Sequence, residues 1–501
     1  VHNMETLELN VVPKSTVMVK VDVIPFETGK EPFVERKTAV SKVAPKFYGP
    51  ARAKYGPQEN VVDVDLIRTV AQQYCSDISD ISSNYVHRVL TFEEAIRGIE
   101  GTGFRSLSLT TSAGWPYADL GLKKEDFWSI LPEGTLVKNH KYFDLKNDVE
   151  QLLHDWSRGT TSIVMFKDTL KMERRAIAKV EAGKTRMISC APVHFTIACR
   201  MLFGTSMRMF QETGVLCGTA LGLNTYSDWD SLYRHLDVFG INKNCGAGDY
   251  SGFDTSHTPD LIMYAGKVLI WLMNLSPTEQ NMQEIALSVI ARSMHIRGSV
   301  VEQWNSSMPS GNPLTSIINC IINHMRFRLC WLDLHKMNLS CLPSFVHNVS
   351  LIVLGDDNIF TVSREYRDCF TEGFLAASQA RFGATYTRED KLSVGNELRD
   401  ITECTLLKRG FRYSDDLHVW LGPADLQVIL ETPLWTRKKE PLKIACDNAS
   451  FAVRELSLHS KEVFDHWLPK IVEYFDGNWF PRTTDYFVEQ ASTMQLEFEL
   501  L

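Results

Sequence analysis

Ser350-Leu351-Ile352-Val353-Leu354-Gly355-Asp356-Asp357-Asn358-Ile359-Phe360-Thr361-Val362 sets two runs rich in Val, Ile and Leu around Gly-Asp-Asp-Asn. The runs predict two strands and the centre a tight hairpin turn. Gly, Asp and Asn are ordinary turn residues, but a turn needs only one acid. Two carboxylates ~4 Å apart repel by roughly 4 kcal/mol at an effective dielectric near 20. A bound divalent cation would make both useful.

Working outward, Gly246-Ala247-Gly248-Asp249-Tyr250-Ser251-Gly252-Phe253-Asp254 places Asp249 where a strand would end and Asp254 five residues on. A carboxylate at a strand end is a common site position in α/β architecture. Thr258 fits as N-cap and Pro259 as the first residue of the helix that follows, with Asp260 at its positive end. Nearer the hairpin, Ser310-Gly311 is a flexible loop that can reach a ligand. Asn312 and Pro313 read as N-cap and first helical residue. Leu314, Ile317, Ile318, Ile321 and Ile322 form an apolar face. Thr315, Asn319 and Asn323 fall at i, i+4 and i+8 on another. Such a polar stripe costs stability unless its members find hydrogen bonds, so it is a buried network or a ligand-facing stripe.

Residues 167–186 hold seven Lys or Arg (167, 171, 174, 175, 179, 184, 186) against three acids. Two strand-like arms with Ala182-Gly183 as a turn can line a channel for triphosphates or form a solvated hairpin. Cys190 to Phe210 reads as an apolar helix. Thr110-Thr111-Ser112-Ala113-Gly114 is a loop whose backbone N–H groups and hydroxyls can hold phosphates. Helical patterns fall near 61–75, 92–100 and 364–382. Tyr386 to Lys391 is a polar loop ending in lysine, and Leu407-Lys408-Arg409-Gly410-Phe411 follows a short strand. The tail from about 412 reads as mostly helical. Residues 1 to about 60, with Val11-Val12-Pro13-Lys14 and Ala44-Pro45-Lys46, read as an extended surface arm.

At 501 residues several domains or subdomains are expected. A composition 44% hydrophobic and 23% charged is ordinary for globular proteins. Helix and strand patterns alternate, which makes the class α/β or α+β. The net charge of −8 argues against a basic coat and leaves room for a local basic channel. Eleven cysteines without a C-x-x-C pair speak against a disulfide framework or zinc site and for a reducing, cytosolic setting. No apolar run reaches the ~18 residues of a membrane span. There is no signal-peptide pattern. A first residue of Val fits an artificial boundary or a chain cut from a larger precursor.

In order, these motifs resemble those of the right-hand RNA-dependent RNA polymerases of positive-strand RNA viruses. The picornavirus-like group is nearest, and within it the dicistrovirus and iflavirus type. The likeness covers roughly 105–411 with motifs. Thr111-Ser112-Ala113-Gly114 resembles the template-admitting loop (motif G) and Lys167 to Arg186 motif F, with extra residues between Lys167 and Lys179. Asp249 and Asp254 match motif A. Ser310-Gly311 with Thr315 and Asn319 matches motif B, and Gly355-Asp356-Asp357 motif C. Lys391 matches the motif D lysine, and Leu407 to Phe411 resembles motif E.

The resemblance implies an α+β right hand with a ferredoxin-like antiparallel palm sheet. The motif positions put fingers at 1–204 and 257–308, palm at 205–256 and 309–408, and thumb at 409–501. It implies RNA-dependent RNA synthesis by two-metal nucleotidyl transfer, with Mg²⁺ (or Mn²⁺) on Asp249, Asp356 and Asp357 and Lys391 as general acid. The NTP would meet Lys167, Arg174, Lys179, Lys184, Arg186, Asp254, Ser310, Gly311, Thr315 and Asn319. RNA would meet Thr111, Ser112, Gly114, Lys408 and Arg409. Other implied partners are a genome-linked protein primer and further viral replication proteins. The implied place is the host cytoplasm, at membrane-associated replication complexes. Asp254, Thr315 and Asn319 can form a polar network around a ribose 2′-hydroxyl. A DNA-making enzyme of this architecture is expected to carry a bulky aromatic near Asp254, so ribonucleotides are the expected substrate. Two other readings stand beside this one. A two-metal nuclease or phosphatase would need neither the Ser310–Asn319 segment nor the basic stretch. A non-catalytic RNA-binding protein would not need three aspartates at strand ends and turns.

Overall fold

The computed structural model describes residues 6–8, 22–56, 58, 61–479 and 485–490. Its centre is a four-stranded antiparallel sheet in the order Val349–Leu354, Asp357–Val362, Cys245–Tyr250, Tyr386–Arg388. The helices Thr315–Leu334 and Glu372–Arg381 join its strands, so the chain runs strand, helix, strand, strand, helix, strand. This is the expected ferredoxin-like order. An excursion after the first strand carries the helices Pro259–Met273 and Pro277–Ala291.

The continuous apolar runs of the hairpin follow from burial on both faces. Leu351, Val353, Phe360 and Val362 join the large core that contains the Thr315 helix. Ile352 and Ile359 alternate with them and meet Trp229, Leu232, Leu236 and Phe411. Leu354 pairs with Asp357, which leaves Gly355 and Asp356 as a two-residue turn. Gly355 takes φ +63°, the left-handed region that such turns require. The neighbouring strand is Cys-Gly-Ala-Gly for a steric reason: a Cβ on Gly248 would lie 2.1 Å from the Tyr386 ring. Beneath the sheet, buried Arg399 bonds Glu372 at 2.6 Å and Glu389 at 2.8 Å, and Glu372 accepts the Ala247 N–H at 3.0 Å.

Several expected boundaries shift. Thr258 does cap the helix Pro259–Met273, accepting from Leu261 N–H. Asn312 and Pro313 lie outside their helix, which starts at Thr315, because Asn312 instead closes a turn by accepting from Leu314 N–H at 2.8 Å. The expected helix over 364–382 begins only at Glu372, after the cap Thr371. Cys190 ends the strand Met187–Cys190, and the helix runs Val193–Thr213. The basic stretch has its two arms, Met165–Leu170 paired with Met187–Cys190, but a short strand Arg174–Ala176 and a helical turn Ile177–Glu181 lie between them. The tail holds the helices Pro441–Leu456 and Lys461–Phe475, preceded by the hairpin Arg412–Ser414/Val419–Leu421.

The N-terminal segment is not a surface arm where it is described; Val11 to Lys14 lie outside the described residues. Val23–Pro25 pairs with Trp435–Arg437, and Thr38–Val40 pairs with Arg174–Ala176. Phe26 stacks on Phe475 with ring centroids 5.5 Å apart. Residues 22–40 thereby tie the basic stretch to the C-terminal helices, a long-range pairing that local sequence pattern does not encode.

Candidate active site

Strand pairing places the acids. The register sets Asn358 opposite Gly248, so the turn after Leu354 lies beside Asp249. Oxygens of Asp249, Asp356 and Asp357 come within 4.8 Å of one another. Partial burial, then the charges of Asp249 and Asp357, push the Asp356 carboxyl well above the usual carboxylate range. Burial and Asp249 push Asp357 up to about 6, against the opposing pull of Lys408 and Lys391. Lys391 Nζ is ion-paired with Asp249 and donates to Thr387 Oγ1 at 3.2 Å. Three crowded carboxylates with neither His nor Cys among them suit a hard divalent cation such as Mg²⁺ or Mn²⁺. Such an ion would offset the repulsion among them.

Beside them, Asn319 Nδ2 donates to Asp254 Oδ1 at 2.7 Å, and Asn319 Oδ1 lies 3.2 Å from His257 Nε2. Burial holds His257 far below its ordinary pKa, so it is neutral. The sequence reading missed His257; a lone histidine ahead of a helix cap carries no signal. Burial raises Asp254, and its bond to Asn319 opposes this. Thr315 does not join this pair: its hydroxyl donates to Pro309 O at 3.1 Å and Asn312 O at 3.0 Å. Gly311 lies against the end of the basic arm, donating to Ser189 O at 3.0 Å, and Ser310 precedes it in the same loop.

The basic residues divide. Arg186 is ion-paired with Glu173, which Lys171 also approaches at 3.2 Å, and Arg186 lies within electrostatic reach of Asp356. Lys179 and Lys184 are exposed. Burial lowers the Lys179 pKa, as do the charges of Arg175, Lys391 and Lys408. Lys54 joins the group: partial burial, then Arg175, Lys184, Arg186 and Lys179, lower its pKa. It was missed because it sits in the supposed arm. Two residues expected at the triphosphate are otherwise engaged. Arg174 reaches Thr432 Oγ1 at 3.3 Å, drawn away by the strand pairing that ties it to residues 38–40. Lys167 is ion-paired with Asp119.

Of the residues expected on RNA, Thr111 and Ser112 are exposed in their loop. The loop is anchored by buried Lys124, which donates to Thr111 and to Ser108 O at 3.0 Å. Gly114 N–H donates to Ser112 Oγ at 3.1 Å. Leu407 and Lys408 form a two-residue turn, both at positive φ, with Lys408 exposed at its tip. Arg409 points the other way. It bonds Glu455 with both terminal nitrogens at 2.8 Å, and Glu455 is fully buried. Lys408 faces solvent because it sits at the turn tip, whereas Arg409 follows the turn and bridges back to Leu406.

A model of the family described as viral RNA-dependent RNA polymerase matches residues 48–476. The chain belongs to the viral RNA-dependent RNA polymerases. The polymerase is 32% identical over 419 residues to the replicase polyprotein of Drosophila C virus (strain EB), covering 80% of this chain and 24% of that one. It is also 32% identical over 402 residues to the replicase polyprotein of acute bee paralysis virus (strain Rothamsted), covering 77% of this chain and 21% of that one. The chain thus spans about a quarter of the length of the curated relatives it matches. Both agree with the dicistrovirus-type resemblance of the motifs. The polymerase shares its fold with a Sicinivirus 3Dpol RNA dependent RNA polymerase, at a TM-score of 0.70 and 21% identity. That match covers 95% of this chain and 100% of the other. The expected right-hand α+β fold is borne out. Among the described residues no helix is long and apolar enough to cross a membrane.

Proposed function

We propose that Asp249, Asp356 and Asp357 hold the divalent ions, two Mg²⁺ in this reading with Mn²⁺ as a substitute, for RNA-templated addition of NTPs to an RNA 3′ end. The observation that carries this is the convergence of their oxygens within 4.8 Å from two strands far apart in sequence. Bound there, the ions supply positive charge for the attacking 3′-oxygen and the leaving pyrophosphate.

The chain's own residues do the rest. Arg186, Lys179, Lys184 and Lys54 neutralise the triphosphate, and Lys167 and Arg174 support that channel from its walls. Asp254 and Asn319 receive the ribose 2′-hydroxyl. Ser310, Gly311 and Thr315 shape the loop on which the nucleotide rests. Lys391 leaves Asp249 and gives its proton to pyrophosphate as general acid. Thr111, Ser112 and Gly114 guide the template, and Lys408 meets the phosphate backbone near the 3′ end. In the same reading the chain divides into fingers (1–204 and 257–308), palm (205–256 and 309–408) and thumb (409–501); the C-terminal helices have a core of their own, while fingers and palm share the large core.

A genome-linked protein as primer, other viral replication proteins as partners and host cytoplasmic replication complexes belong to the same reading. A primer-extension assay with template RNA, NTPs and Mg²⁺ tests it. Product should lengthen with wild-type protein; product that never grows overturns the reading.

A further inference from the structure

Asn323, the third member of the polar stripe, takes no part in the roles above, yet it is fully buried. Its Nδ2 donates to Gly355 O at 2.9 Å and, at 3.4 Å, to Asp356 O. Its Oδ1 accepts from Tyr250 O–H at 3.1 Å. The orientation follows from chemistry: carbonyls only accept, so the amide nitrogen must face the turn and the amide oxygen the phenol. Tyr250 directly follows Asp249. A two-bond chain therefore runs from the strand of Asp249, through the Thr315 helix, to the turn that carries Asp356. A second chain reaches the same turn from the sheet edge. Tyr386 O–H donates to Asn358 Oδ1 at 2.8 Å, and Asn358 Nδ2 donates to Asp356 O at 3.2 Å.

We infer that Asn323 is a positioning residue that sets the Asp356 carboxylate against Asp249. The inference rests on the cation-binding reading of those aspartates. A two-residue turn leaves its central peptide free to rotate between turn types. Rotation of the Gly355–Asp356 peptide would swing the Asp356 side chain off Asp249. A donor from buried Asn323 on the half-buried Gly355 carbonyl favours one orientation of that peptide, and losing it gives up that bond.

The test compares full-length wild type, N323A, N323D, Y250F and D356N. Free Mn²⁺ measured by EPR gives cation affinity without RNA or NTP; primer extension gives kcat, KM and Mg²⁺ dependence. N323D keeps the acceptor for Tyr250 and the side-chain volume but loses the donor to the turn. It should weaken Mn²⁺ binding about tenfold or more, the usual effect of losing a group that orients a metal ligand. It should also lower kcat by a similar factor with little change in KM for NTP. N323A should do the same, and Y250F should show an intermediate loss. Wild-type Mn²⁺ affinity and Mg²⁺ dependence in N323D, with Y250F also unchanged, overturn the positioning role even if N323A fails to fold. Normal extension by D356N would instead overturn the reading of the metal site, so the two failures are distinct.

Discussion

Asn319 donates its amide hydrogen to Asp254 at 2.7 Å, across 65 residues of chain. The bond leaves the carboxylate its other lone pairs for a sugar hydroxyl, and neutral His257 holds the amide from behind.

Asp254→Ala should therefore weaken the preference for ribonucleotides over deoxynucleotides. Asn319→Ala should do so less, because the carboxylate survives but loses its alignment. Competing incorporation of NTP and dNTP measures both. A site that hydrogen-bonds a substrate hydroxyl discriminates more strongly than one that only fills space. An unchanged ratio in Asp254→Ala removes it from sugar selection.

Asp356→Asn removes a charge from the centre of the cluster. Extension should fall by at least ~10³, on the order of 4 kcal/mol of transition-state stabilisation. Single-turnover addition of one nucleotide is the measurement, and near-normal rates would refute the metal assignment.

Lys408 and Arg409 are adjacent and should behave as opposites. Lys408→Ala should weaken RNA binding and reduce the salt slope of the affinity by about 1. It should leave thermal stability alone, since Lys408 is exposed at a turn tip. Arg409→Ala should leave the salt slope alone and cost about 3–5 kcal/mol of stability, because Glu455 is left charged and buried. RNA binding across a salt series and calorimetric unfolding separate the two.

Acid should destabilise the protein through its buried histidines. Burial lowers His194 to about 4 and His324 to about 3, from the ordinary 6.5. Below pH 6.5 the unfolded chain takes up protons that the folded chain refuses. This contribution is therefore complete above about 6.5 and declines as pH falls toward 4 and 3. Each histidine adds a slope of roughly 1.4 kcal/mol per pH unit well inside that window. Asp357, raised to about 6, works the other way between 3.8 and about 6, so a difference isolates the effect. At pH 5 the stability of His324→Gln should depend on pH less steeply than wild type by about that slope; an equal slope would show His324 is not the source.

The local motifs were legible in the sequence because their chemistry is local. Gly355-Asp356 reads as a turn between two β-forming runs and Thr258-Pro259 as a helix start, and both form, whereas the like signal at Asn312-Pro313 closes a turn instead. The carboxylates, the basic stretch and the polar stripe at spacing four are visible without coordinates. What each side chain faces depends on segments far away. Arg174 and Arg409 look as available for phosphate as Lys179 and Lys408 do. Pairing of Arg174–Ala176 with Thr38–Val40 and burial of Glu455 against the motif E turn commit both arginines to internal contacts. Thr315 shares its stripe with Asn319, yet a helix start two residues later than its cap signal turns its hydroxyl onto its own backbone. Local pattern specifies backbone shape and the chemistry on offer. Which polar group reaches solvent, substrate or a buried partner is settled by long-range pairing, because a buried charge must find its counter-charge wherever the fold places it.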